Sequence, residues 1–407
     1  MITNWGSILK IIFVCMLAYM FASFDQSLFG YAIPGIMGEF KVGLPAISLM
    51  MSMGFVVAAP VSLMMGDFAD RFGRKKTLTM CLALSAFLVG CHAFSTDLLV
   101  LGVLRVVGFA VSAGVGPIVT TYAAETAPPR YRGLLIGIMQ CGYPLGWLFA
   151  SLATAPLIET YGWRAPFFTA FLVVPVAFTF LWLLPESTMF RAAMAKISAR
   201  PFKDRVADLL RGQYRRRTIL VTLVYFLFGA SYAGSAFFFP TFLHETRGYS
   251  MADAARLVGL AYGIGIFGYL TSSVVGEFLL SRRQTFIIWT WAGSLGFAGF
   301  IWLAETPTEN LLWFSALAIF GYGAMPLLQT MKAELFPTSL RATAAAISGG
   351  AGLNIGYAAS PVIVAQAVET VGWQMAFSFT VIPALFMCGV LTLFLETITS
   401  GTALDQE

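Results

Sequence analysis

Charge is scarce in this chain. Of 407 residues only 11% are Asp, Glu, Lys or Arg, 45 in all, where a soluble domain carries about a quarter. That scarcity excludes a cytosolic enzyme, a secreted domain, a nucleic-acid-binding protein and a disordered chain. Histidine is rarer still, at two, and the five cysteines (Cys15, Cys81, Cys91, Cys141 and Cys388) all fall inside apolar runs. Buried thiols are expected there rather than disulfides, and no metal site or cofactor site can be assembled. No secretory leader is expected either. The first apolar run, from about 11 to 36, is too long for one and no cleavage pattern follows it, so a retained helix is expected.

Apolar residues make up 58% of the chain, about 236 residues, and the mean hydropathy is +0.80. That number nearly fills twelve helices of roughly 20 residues, the length that crosses a bilayer core. Breaks in the runs predict spans over 9–37, 45–68, 76–95, 98–122, 133–158 and 165–184, then 218–243, 253–280, 285–304, 310–332, 342–368 and 375–396. The runs are continuous rather than alternating, which predicts helices and not a barrel. The expected fold is an all-α integral membrane protein with twelve transmembrane helices in two six-helix bundles.

The basic residues orient it. With the N-terminus inside, 20 of the 25 Lys and Arg fall in cytoplasmic segments, and the outside holds Lys41, Arg164, Arg247 and Arg256. The positive-inside rule then predicts both termini in the cytoplasm. Residues 185–217 carry nine of those charges and divide the chain into bundles 1–184 and 218–407. The run Arg215-Arg216-Arg217 reads as a topology anchor on anionic headgroups, with a regulatory or partner site as the alternative.

The two halves repeat. Glu125, Pro128 and Arg132 recur as Glu334, Pro337 and Arg341, offset by 209. Glu159-Thr160, Gly162-Trp163 and Phe167 recur as Glu369-Thr370, Gly372-Trp373 and Phe377, and Gly66-Asp67-Phe68 recurs as Gly276-Glu277-Phe278, all offset by 210. Duplication places the functional site where the halves meet, near the bilayer midplane.

Between spans 2 and 3 stands Gly66-Asp67-Phe68-Ala69-Asp70-Arg71-Phe72-Gly73-Arg74-Lys75-Lys76. Gly66 allows close helix approach, Asp70 suits a helix N-terminus, and the arginines can pair with acidic helix ends. This stretch resembles the signature loop of the major facilitator superfamily, and the likeness extends over essentially the whole chain. It implies two bundles rocking around a central cavity. Asp70, Arg71, Arg74, Glu125 and Arg132 would form a cytoplasmic latch in the first half, with Gly276, Glu277, Arg282, Glu334 and Arg341 as its counterpart. Ser281 replaces Arg71 in the second copy, which predicts an asymmetric latch.

Only Asp25 and Arg105 are charges placed well inside a span. Each is costly there and marks a functional candidate. Counting rises from the flanking boundaries places them within about 4 Å of one depth, so a pair is geometrically allowed. A purely structural ion pair is the bland alternative.

The fourth-span residues Arg105, Tyr122, Glu125, Pro128, Arg132 and Gly133 resemble both sugar porters and aromatic acid:proton symporters. Asp25, Gly30 and Pro34 resemble the first span of the latter, whose second Asp is Ala22 here, leaving one carboxylate as proton carrier. Pro185-Glu186-Ser187 and Gln140 resemble sugar porters, but Trp147 and Gln329 depart from their binding pattern. An indole in place of an amide suits a flatter, more apolar substrate. Gln140, Tyr143, Trp147, Tyr225, Phe228, Tyr232 and Phe239 are candidate cavity residues, with Gln329 and Asn354 as polar ones. Gly133, Gly142 and Gly146 match an efflux-antiporter motif in part, and helix packing accounts for them equally.

These residues predict a monomeric, proton-coupled importer of a small organic acid, an aromatic or other carboxylic acid, in a bacterial inner membrane. Its expected partners are substrate, protons and lipid. A sugar or polyol symporter and a drug:proton antiporter are the competing readings. A sensor or membrane enzyme lacks any supporting constellation.

Overall fold

A computed structural model describes residues 5–185, 202–336 and 338–396, without the side chains at 63, 66, 67, 70, 71, 129, 202, 333, 338, 339, 341 and 342. Every regular element among them is helical. The first half holds α1 (Trp5–Phe40), α2 (Leu44–Phe72), α3 (Arg74–Phe94), α4 (Leu98–Thr126), α5 (Arg132–Tyr161) and α6 (Ala165–Leu183). The second holds α7 (Tyr214–Ala233), α8 (Met251–Leu279), α9 (Arg282–Trp302), α10 (Pro307–Lys332) and a 50-residue run, Thr343–Thr392. Among the described residues ten helices are long and apolar enough to cross a bilayer. The last of them bends at Gly372 into α11 (343–371) and α12 (373–392), because Gly372 adopts φ +78°, which favours glycine. With α7 the passes number twelve among the described residues.

Local sequence sets the helix starts. Asp97 caps α4 by accepting the Val100 N–H at 2.9 Å, and Ser250 caps α8 by accepting that of Asp253 at 3.0 Å. Ser281 and Thr306 form capping boxes with Gln284 and Glu309 at the heads of α9 and α10. Ser281 thus has a structural task in the position where the first half carries Arg71.

The repeat survives as geometry. Gly162 and Gly372 share φ +78°, and each is followed by a buried Trp. Trp163 Nε1 donates to Glu39 at 2.7 Å, and Trp373 Nε1 donates to Glu245 at 2.8 Å. The turn that opens the sixth helix is thus pinned to the end of α1 in the first half, and in the second to the short helix Phe239–Arg247 that follows α7. Glycines also bring helix backbones together within each half: Gly142 and Gly146 lie against α1 at Met16 and Met20, and Gly229 and Gly356 join α7 to α11. The packing account of Gly142 and Gly146 is the one seen. Large apolar side chains such as Trp182, Leu295 and Phe379 face outward, as a lipid-exposed surface requires.

Candidate functional site

Along α5 and α8 the halves touch at two levels. Gly137 of α5 lies against Ser273 of α8 on the side of the basic loops, and Ser151 of α5 lies against Gly259 of α8 toward the opposite face. The spacing is 14 residues on both helices, about 21 Å. Ser151 Oγ also donates to the Ala255 carbonyl at 2.8 Å, and Arg256 reaches Glu159 at 3.3 Å.

Between these levels six of the chain's 14 tyrosines converge on a small cavity of about 20 Å³: Tyr19, Tyr143, Tyr232, Tyr269, Tyr322 and Tyr357. Phe228 and Met325 complete an apolar wall, and Gln140 supplies the amide. That space has room for about one water, well short of the roughly 300 Å³ of a ligand pocket, so the side chains of the cage are closed on one another. The rings are tilted or edge-on: Tyr143 lies 5.4 Å from Tyr19 and 5.7 Å from Tyr232, and Tyr232 lies 4.9 Å from Tyr322. Gln140 is buried, and its Oε1 has no donor among the described residues. Such a cage suits a flat ring with a few polar substituents.

Arg105 stands beside this cage. Its guanidinium lies 4.3 Å from the Phe29 ring, 5.1 Å from Phe109 and 5.9 Å from Phe237 of the second half. Each such contact contributes about 0.5–2 kcal/mol to holding a cation out of water. Its charge is felt at Tyr143 in the cage wall and at His92. It makes no ion pair among the described residues, so its charge is free to meet an anion.

Asp25 is buried on α1 and does not pair with Arg105. Ser85 of α3 donates to Asp25 Oδ2 at 3.4 Å, and Oδ1 has no partner among the described residues. The two charges are kept apart because Arg105 packs on Phe29, one turn beyond Asp25, while Asp25 turns toward α3. The ion pair allowed by depth counting is thus absent.

The other candidates divide. Gln140, Tyr143, Phe228 and Tyr232 line the cavity. Trp147 lies behind it, fully buried and stacked 4.7 Å from Tyr262. Phe239 belongs to an apolar cluster with Phe297, Phe300 and Phe314. Asn354 bonds the Gly350 carbonyl at 2.7 Å, and Gln329 accepts from Lys332 at 2.8 Å, so neither is part of the cage. Sequence reasoning missed Tyr19, Tyr269, Tyr322 and Tyr357, and also Gln26, which accepts from Tyr143 at 3.4 Å. Helical spacing was the available signal, since Tyr19 and Gln26 lie seven residues apart on one face of α1.

Of the latch, Gly66, Asp70, Arg71 and Arg341 fall outside the described side chains. Arg74 pairs with Glu125, and Arg282 pairs with Glu277 at 2.7 Å and with Glu334. These pairs lie within one half each. The crossing contact is the N-terminus of α5: Gly133 abuts the Glu277 carboxylate, and Arg132 is attracted to Glu277 and repelled by Arg282. Gly276 packs against Leu327.

The chain belongs to the major facilitator superfamily, whose family model matches residues 15–349. It is 30% identical to a gallate transporter of Pseudomonas putida over 82% of this chain and 80% of that one. It is 24% identical to the niacin transporter NiaP of Acinetobacter baylyi, over 97% and 95%. Among solved structures, the proton:xylose symporter XylE bound to 6-bromo-6-deoxy-D-glucose matches with a TM-score of 0.73 at 16% identity, covering 98% of both chains. That last likeness is one of fold. The chain is a multi-pass membrane transporter and not an enzyme.

Proposed function

We propose that this transporter takes up a small aromatic carboxylate together with protons by alternating access. The carrying observation is the tyrosine cage between the halves with an unpaired guanidinium, Arg105, at its side. The ring of the substrate lies among the tyrosines, Gln140 receives a ring donor, and Arg105 attracts the carboxylate. Asp25 gains and releases the proton. Because it faces Ser85 rather than Arg105, it acts through the α1–α3 contact and the position of α1, which carries Tyr19 and Gln26 into the site.

Bundles 1–184 and 218–407 move as the two rocking units, joined by the basic linker 185–217, in a monomer with both termini in the cytoplasm. The substrate drives the exchange of states only if it binds them with different affinity. Closing the cage around a ring supplies that difference. Both relatives named above carry ring-bearing acids by their names, gallate and niacin, which favours this reading over a sugar. A hydroxyl-rich ligand would also need a denser set of amides than Gln140 and Gln26 supply.

The test is uptake into proteoliposomes under an imposed inward proton gradient, with nicotinate, gallate and xylose as probes. Accumulation of nicotinate or gallate above equilibrium, collapsed by a protonophore, is expected. Asp25→Asn should keep substrate exchange and lose accumulation. Accumulation by the Asn variant overturns the assignment of Asp25.

A further inference from the structure

The geometry points to a second carboxylate-binding station, formed by Lys332 with Gln329 and Tyr225, about two helical turns from the cage toward the basic loops. It rests on the transport reading above and adds a place where the anion is held after the cage opens on that side.

By sequence Lys332 belongs with the loop cations. The structure folds its side chain the other way. A lysine near the end of a membrane helix normally extends toward the headgroups, yet Lys332 Nζ turns back along α10 and donates to Gln329 Oε1 at 2.8 Å. The ammonium lies 5.2 Å from the Tyr225 ring and faces Gly349 of α11, where a Cβ would fall 2.8 Å from Nζ. No carboxylate pairs with it among the described residues. An ammonium has three donors and Gln329 engages one. A cation held off the surface with donors to spare costs free energy that a bound anion would recover.

The station is continuous with the cage. Tyr322, Met325, Gln329 and Lys332 follow one face of α10 at helical spacing, and the first two line the cavity. Tyr225, Phe228 and Tyr232 form the facing stripe of α7, and the last two line the cavity as well. Lys332 is seven residues beyond Met325, about 10 Å along the helix. The wall opposite Nζ is a π-helical turn, Ala346–Gly352, of a kind that recurs at functional sites. Just beyond, Glu334 is engaged by Arg282 in the layer that meets Gly133. The station therefore lies between the cage and that closing layer. The plainer role for Lys332, a cation compensating the dipole of a helix end, accounts for the charge but not for its backward turn.

Side-resolved exchange in right-side-out and inside-out vesicles tests it, with nicotinate and its neutral isostere nicotinamide as probes. Lys332→Met should raise half-saturating nicotinate on the side of the basic loops roughly 10- to 100-fold, the loss expected for a hydrogen bond to a charged group. The opposite side should change less than about twofold, nicotinamide competition should not change, and Lys332→Arg should stay near wild type. Lys332→Gln, with its thermal transition measured, serves if the Met variant does not fold. An unchanged nicotinate value on both sides, or equal losses for nicotinate and nicotinamide, overturns the station. A wild-type protein that exchanges neither nicotinate nor gallate overturns the uptake reading and the station with it.

Discussion

The reciprocal Gly–Ser contacts of α5 and α8 allow the alternating motion to be biased in either direction by a single methyl group. In Gly137→Ala the new Cβ would fall 2.7 Å from Ser273 Cβ, and in Gly259→Ala it would collide with Ser151 Cβ. Neither neighbour is the free end of a flexible chain, so the helices must separate. Overpacking of this kind costs about 1–3 kcal/mol. Because Gly137 and Ser273 lie in different halves, that cost is felt only while they touch, and it shifts the equilibrium between states by roughly 5- to 150-fold. Gly137→Ala should favour opening on the side of the basic loops, and Gly259→Ala opening on the other. Gly142→Ala is the control: its methyl would meet the α1 backbone, 3.0 Å from Met20 N, inside one half. It should lower thermal stability without moving the equilibrium. Electron–electron resonance distances between the halves, measured at both faces in nanodiscs, report the outcome. If Gly137→Ala and Gly259→Ala move the distances in the same sense, or Gly142→Ala moves them as much, the α5–α8 contact is not where the states are balanced.

Three further outcomes follow from the same geometry. Arg105→Lys keeps the charge but loses the planar face stacked on Phe29, so equilibrium binding of nicotinate should weaken roughly 2- to 30-fold, and Arg105→Met should weaken it further. The Arg256–Glu159 pair crosses the halves but is about half exposed; Arg256→Gln should alter transport less than about twofold, because exposed pairs contribute roughly 0–1 kcal/mol. The Val100 N–H holds the Asp97 carboxyl below its ordinary value of 3.8. That cap is therefore fully present above the ordinary value and is lost only as pH falls through the lowered one, so amide exchange at 98–100 should stay protected at pH 5 and quicken only in stronger acid.

Much of the architecture was legible because the bilayer allows few solutions. Continuous apolar runs can only be helices, and the repeated Gly162-Trp163 and Gly372-Trp373 reappear as matched positive-φ turns with matched indole–carboxylate bonds. The candidate site was legible in part. Gln140, Tyr143, Phe228 and Tyr232 reach the cavity, whereas Trp147 and Phe239 are packing. Composition cannot separate the two groups, since an aromatic facing a cavity and one facing a neighbouring helix satisfy the same burial preference. Several latch residues form ion pairs within each half, and Gly133 and Arg132 meet Glu277 across the halves.

The sequence by itself determined the membrane residence, the number of passes, the duplication and the two interior charges, because each follows from hydropathy and spacing along one chain. Tertiary structure alone decided what those charges do. Depth along two helices placed Asp25 and Arg105 level, but rotation about the helix axes turned one to Ser85 and the other to Phe29. The same rotation gathered six tyrosines from α1, α5, α7, α8, α10 and α11 into one cage and turned Lys332 away from the surface. Linear spacing gives height in the membrane, and only packing gives azimuth.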